Sequence, residues 1–248
     1  MSNPIVRIRA QAAFETRTLL SNGEQLLASL ILPAMALIGF TGTEAPHLGS
    51  GRRIDVVVPG ILALAIVSTA FTGQAIATGF DRRYGVLRLL GITPLGRSGL
   101  IAGKALAVLV VVVLQTVVLV ILGLCFGWHP HLDGVVIATI LMVIGTWTWV
   151  ALALLLAGVL RANAVLAVVN LLWVIFATVG GLLYPTRRMP NPLGNIVRLL
   201  PSGALGDGLR DALLGHDASA SLLGPTLVLF VWGVAATVLM VRYFRWSD

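Results

Sequence analysis

Six stretches of roughly twenty apolar residues constrain this chain more than anything else in it. They run near 26–43, 56–78, 103–126, 134–159, 164–183 and 222–243, and their interiors carry almost no ionisable side chains. A helix rises about 1.5 Å per residue and the hydrocarbon core of a bilayer is about 30 Å thick, so each stretch is long enough to cross. Too little else remains to build a water-soluble surface. Hydrophobic residues make up 58% of the 248 and charged ones 11%, against about 25% charged in ordinary globular chains. Disorder is excluded for the same reason. One cysteine excludes a disulfide framework and a thiolate metal cage. The expected fold is all-α: a polytopic membrane protein of six transmembrane helices forming a single domain over 1–248.

The first 25 residues hold three arginines and two acids instead of one apolar run, so no cleavable signal is expected. At 100° per residue, Ile5, Val6, Ile8, Ala12, Ala13, Leu19 and Leu20 share one face and Arg7, Gln11, Glu15 and Arg17 the other. This predicts an interfacial amphipathic helix over 1–25, the alternative being a frayed tail. With the N-terminus inside, eleven of the 17 basic residues and four of the ten acids fall on inner segments, placing the whole net charge of +7 there. That bias orients the chain with both termini cytoplasmic in the plasma membrane. The basicity then reflects topology and anionic lipid, with no recognition motif for nucleic acid.

Three connections carry information. The inner one, 79–102, contains a short charged helix with Asp81 expected near its start, Arg88 near its end, and Gly91 and Pro94 stopping it. Its apolar side chains Tyr84, Val86, Leu87 and Leu90 suit docking on a partner; a plain basic loop is the alternative. The outer connection, 184–221, is broken by Pro185, Pro190, Pro192 and Pro201 and by Gly194, Gly203, Gly206 and Gly208, and its pieces 193–200 and 204–214 are too short to cross. It reads either as an extracellular re-entrant helical segment between helices five and six or as two surface helices. The turn with His129, His131 and Asp133 lacks a fourth ligand and helical spacing for a metal.

These features together resemble the membrane subunits of ABC-2 type exporters. The inner loop of that family reads acid-Arg-x-x-Gly-Ser/Thr-Leu-x-x-Leu-x-x-Ser/Thr-Pro-Leu/Val-x-Arg, later Gly-Lys. Asp81-Arg82-Arg83-Tyr84-Gly85-Val86-Leu87-Arg88-Leu89-Leu90-Gly91-Ile92-Thr93-Pro94-Leu95-Gly96-Arg97 and Gly103-Lys104 follow it, with Asp for Glu and Val86 for Ser or Thr. Gly181-Leu182-Leu183-Tyr184-Pro185, Met189-Pro190, Leu199-Leu200-Pro201 and Gly208-Leu209-Arg210 are similar to the family's re-entrant segment, and Tyr243-Phe244-Arg245-Trp246 to its C-terminal end. The resemblance implies a permease that pairs with a second, identical or homologous permease and binds two cytoplasmic ABC ATPase subunits. It makes Asp81, Arg82, Arg83, Tyr84, Gly85, Leu87 and Arg88 the ATPase-coupling residues. The ATPase itself is expected in a partner that binds ATP and Mg, with no cofactor and no catalytic residue here. The single Lys104, in Ser98-Gly99-Leu100-Ile101-Ala102-Gly103-Lys104-Ala105, misses the glycine and hydroxyl that a phosphate loop needs.

An intramembrane protease would show paired Asp, Ser with His, or a zinc helix within a span, and a secondary transporter would show a mid-span carboxylate; neither occurs. Cys125 reads as a small buried hydrophobe. The polar residues of the spans include Thr72, Gln74, Asn163 and Asn170, the two asparagines sharing a helix face with Trp173 nearby. As a substrate pathway these favour an amphiphilic, drug-like or lipid-like cargo, with lipid-linked polysaccharide as the runner-up. As packing glue they bond across helices.

Overall fold

The computed structural model describes residues 4–21, 23–43, 52–91, 96–215 and 223–244. Residues 92–95 of the inner motif, the side chain of Arg88, and Arg245 and Trp246 lie outside what is described. Every regular element among the described residues is helical: α1 (Pro4–Ser21), α2 (Gly23–Gly42), α3 (Arg53–Val67), α4 (Gln74–Arg83), α5 (Val86–Gly91), α6 (Gly96–Cys125), α7 (Val135–Val159), α8 (Ala162–Thr178), α9 (Leu193–Arg198), α10 (Pro201–Leu214) and α11 (Leu223–Tyr243). A π-helical turn, Ser68–Gly73, joins α3 to α4 without a break, so one rod runs from Arg53 to Arg83.

Among the described residues, four helices are long and apolar enough to cross a bilayer: Arg53–Arg83, Gly99–Cys125, Leu132–Val159 and Leu223–Tyr243. The first and fifth expected spans appear as shorter apolar helices, Ser29–Gly42 and Ala162–Thr178. The fifth stops before Leu183 because Gly180 folds back onto the Ile175 carbonyl and Gly181 turns the chain at φ +87°. Exposed apolar side chains stripe α6, at Leu106, Val110, Val113, Val117, Ile121 and Leu124, the pattern of a helix facing lipid.

The α3–α4 rod is the buried centre, and α7 packs against α11, α10 and α4. Phe71, Trp149 and Phe176 form an edge-to-face cluster where rod, α7 and α8 meet, with centroids 5.2–6.0 Å apart. The outer connection folds as α9 and α10. Residues Pro201 to Leu213 are all buried, and α10 packs between α3, α7 and α11.

Three local expectations are corrected. The amphipathic helix forms but does not present its whole polar face to water: α1 lies along α6, with Gln11 and Glu15 buried against it. Gly103 permits that approach, since a Cβ there would stand 2.7 Å from the Gln11 side chain. Asp81 does not start the loop helix; it sits in the last turn of α4, which ends at Tyr84 and Gly85, and Gly85 takes φ +77° before α5 begins. Cys125 is exposed at the end of α6, because α6 turns that flank away from the bundle.

Candidate functional site

A cavity of about 570 Å³ opens between α1, α2, the π-turn, α4, α6 and α8. Its walls are mostly Leu19, Leu32, Ile76, Phe80 and Val111, with Trp173. Neutral polar groups are set into them: Ser29, Ser68, Thr69, Thr72 and Asn170. Among the described residues, no lining side chain is charged.

The π-turn explains why so many hydroxyls converge. Its wider i→i+5 repeat brings residues four and five apart onto one face, here Ser68, Thr72 and Gly73, with Thr69 beside them. Ser68 donates to the Leu64 carbonyl at 2.8 Å and accepts the Trp173 indole N–H at 2.8 Å. Thr69 and Gln115 are hydrogen-bonded at 2.9–3.0 Å, and Gln115 Nε2 reaches Ser29 Oγ at 2.9 Å. The hydroxyl of Thr72 has no partner among the described residues. Of the expected pathway residues, the structure brings Thr72, Asn170 and Trp173 to this cavity. Gln74 is buried away from its lining, its Oε1 likewise without a partner among the described residues. Asn163 lies at the first turn of α8 and accepts from Arg83 instead.

The expected coupling residues sit one turn beyond the cavity. Three consecutive side chains at the end of α4 grip different helices. Asp81 faces Lys104 of α6 at 3.4 Å, and Lys104 in turn holds Glu15 of α1 at 2.8 Å. Gln11 donates to Glu15 at 3.0 Å, so the fully buried ammonium is met by two carboxylates braced from both sides. Arg82, buried, donates to the Ala157 carbonyl at 2.7 Å and to that of Leu160, the unsatisfied C-terminal groups of α7. Arg83 Nη1 donates to Asn163 Oδ1 at 3.1 Å.

Tyr84 is left 73% exposed, and its ring stacks on Phe80 of the cavity wall with centroids 6.1 Å apart. Leu87 is not beside it on the surface: it is fully buried within the chain. The three-residue spacing placed both on one helix, but the left-handed turn at Gly85 intervenes and re-aims α5. Arg88 belongs to α5.

Sequence reasoning missed two centres. Lys104 drew notice as a failed phosphate-loop lysine, while its buried position was signalled by Gly103 beside it and by a helix of 30 residues that overruns the bilayer. The other centre is Arg210 on α10. It is buried and donates to the carbonyls of Gly181 (2.8 Å), Leu182 and Val56 (3.4 Å) and to Asp207 at 3.2 Å. Asp207 also accepts from Thr186, whose hydroxyl accepts from Arg198 at 3.1 Å. A Cβ at Gly60 would stand 2.6 Å from both the Arg210 guanidinium and the Leu182 carbonyl, so α3 approaches only as glycine there.

A family model described as ABC-2 family transporter protein matches residues 19–242. No curated protein matches the chain. The match spans α2 to α11 and leaves most of α1 outside it. The chain is thus a multi-pass membrane protein of the ABC-2 transporter family, whose permeases generally work as dimers with ATPase subunits.

Proposed function

We propose that this chain is the membrane-spanning subunit of an ATP-driven exporter for an amphiphilic, drug-like or lipid-like substrate. It pairs with a second permease, and two separate cytoplasmic subunits that bind ATP and Mg drive it. The α4–α5 end faces the cytoplasm, where the positive charge gathers, and α10 is the extracellular re-entrant segment, its backbone covered by protein as such a segment requires.

One observation carries this reading. Phe80 lines the cavity and stacks on exposed Tyr84, one turn along the same helix. A push on Tyr84 by an ATPase therefore reaches the cavity wall through a ring contact and a rigid turn. The cavity supports the cargo class: its apolar walls bind by area, and its neutral hydroxyls and amide orient a polar end without requiring charge.

The test uses the permease copurified with its ATPase in proteoliposomes. Tyr84→Ala is expected to lower ATPase copurification or substrate-stimulated hydrolysis severalfold, while Asn170→Leu changes which amphiphiles stimulate hydrolysis and leaves basal hydrolysis intact. Unchanged stimulation in both variants overturns the proposal.

A further inference from the structure

A second concavity lies on the opposite flank of α1. It has a volume of about 790 Å³ and is bounded by Ala12, Ala13, Thr16, Arg17, Leu20 and Ser21 of α1 and by Leu106, Leu109 and Val110 of α6. The floor is apolar. The polar atoms are gathered at the C-terminal end of α1, where Thr16, Arg17 and Ser21 follow one another around the last turns. Arg17 is exposed, and among the described residues it has no ion pair. We propose that this groove is a binding site for one anionic phospholipid of the cytoplasmic leaflet, its phosphate on Arg17 and an acyl chain along α6. The assignment uses the N-inside orientation proposed above but neither the substrate nor the coupling role.

Three features select that occupant. The groove continues into a lipid-length track: Leu106 and Val110 on its floor are followed along α6 by Val113, Val117, Ile121 and Leu124, all exposed and spaced three or four apart. At about 1.5 Å per residue this stripe runs roughly 27 Å, close to the thickness of the hydrocarbon core. A ligand fitted to it has a long apolar tail and a head at one end only. The head must be anionic, because the polar end offers a guanidinium and two hydroxyls and, among the described residues, no carboxylate. Finally, a second copy of the chain has little to offer Arg17. At the junction end of the bundle the described carboxylates Glu15 and Asp81 both face Lys104, and a water-soluble ATPase does not reach the apolar stripe. The lipid would wedge α1 onto α6 from outside, opposite the side where Glu15 holds Lys104.

The experiment is native mass spectrometry of the full-length chain released from detergent after exchange into mixtures of phosphatidylglycerol and phosphatidylcholine. The wild type is expected to retain one phosphatidylglycerol per chain in preference to phosphatidylcholine. Arg17→Gln should reduce that preference about fivefold, the effect of one basic side chain near an anionic surface. Arg9→Gln, an exposed arginine of the same helix outside the groove, should not change it. Ala13→Trp, which fills the groove and keeps the charge, should remove the retained lipid. Equal loss from Arg9→Gln and Arg17→Gln would mean diffuse attraction and overturn the site. Retention unaffected by Ala13→Trp overturns it as well. So does loss of permease pairing in Arg17→Gln or Ala13→Trp with lipid retention unchanged, since the groove would then be a protein interface.

Discussion

The two ends of the helix bundle both bury arginine, and they use it differently. At the α10 end, Arg210 satisfies backbone carbonyls of Gly181, Leu182 and Val56 and one carboxylate three residues away. Its partners fix a turn, a short helix and the start of α3 in one place, and exposed arginines at its edge turn inward, Arg187 to Asp211 at 2.7 Å and Arg198 to Thr186 at 3.1 Å. At the α4 end the polar groups are distributed. Asp81, Arg82 and Arg83 reach α6, α7 and α8 separately, and the next residue, Tyr84, projects outward. One end is a closed knot and the other a junction with a handle. Concentrated hydrogen bonds make a fixed point; side chains fanned out to several helices make a place where displacing one helix displaces the rest.

The largest effect should come from cutting the knot. Arg210→Met removes the donor from three carbonyls and strands Asp207 beside them. Breaking a buried pair by deleting one partner costs about 3–5 kcal/mol, so the purified variant should melt well below the wild type or fail to accumulate. Arg210→Lys should recover only part of that, since an ammonium cannot reproduce the planar fork. Melting of Arg210→Met at the wild-type temperature would show that the knot is not a fixed point.

The next effect lies in the junction and should be more local. Lys104→Met leaves Glu15 and Asp81 facing each other without a cation. Asp81 keeps about a third of its side chain in solvent, so relaxation is possible and the cost falls to about 1–3 kcal/mol, that of buried polar groups left without partners. It should appear as release of α1: trypsin should cut at Arg9 and Arg17 much faster while the spanning helices stay protected. Adding Glu15→Gln and Asp81→Asn should restore protection. If α1 stays protected in Lys104→Met, the ion pairs do not hold it to α6.

How much of this was legible beforehand depends on the kind of signal. Apolar runs specified the helical spans because length and hydropathy act locally, and the inner and outer connections were located by their Gly and Pro punctuation. The fifth helix ends before its apolar run does, since Gly181 closes that region by a turn whose partner contacts are distant in sequence, whereas α2 covers nearly all of the first run with Pro33 inside it. Leu87 was read as surface because a three-residue spacing implies a shared face only while the helix continues, and Gly85 interrupts it. Thr72, Asn170 and Trp173 were singled out as polar or amphipathic residues in apolar spans, but their meeting at one cavity depends on the π-turn, which hydropathy does not encode. The Lys104 and Arg210 centres join residues 89 and 154 positions apart at their widest; no periodicity reports such pairs.

The smallest effect on stability separates a working junction from a merely satisfied one. Arg83 is exposed, and its bond to Asn163 at 3.1 Å lies where water competes for both groups. Such contacts contribute about 0–1 kcal/mol, so Arg83→Gln and Asn163→Leu should each melt within about 1 kcal/mol of the wild type. Arg82→Gln should cost more, because it uncovers the buried end of α7. If the tie passes motion from α4 to α8, both exposed variants should reduce substrate-stimulated ATP hydrolysis by the copurified complex, and the double variant should reduce it no further than either alone. Non-additivity is the signature of one shared contact. Additive losses would mean that the two residues act independently, and normal stimulation in all three would reduce the Arg83–Asn163 contact to surface decoration and leave Arg82 and Lys104 as the links from α4 to its neighbours.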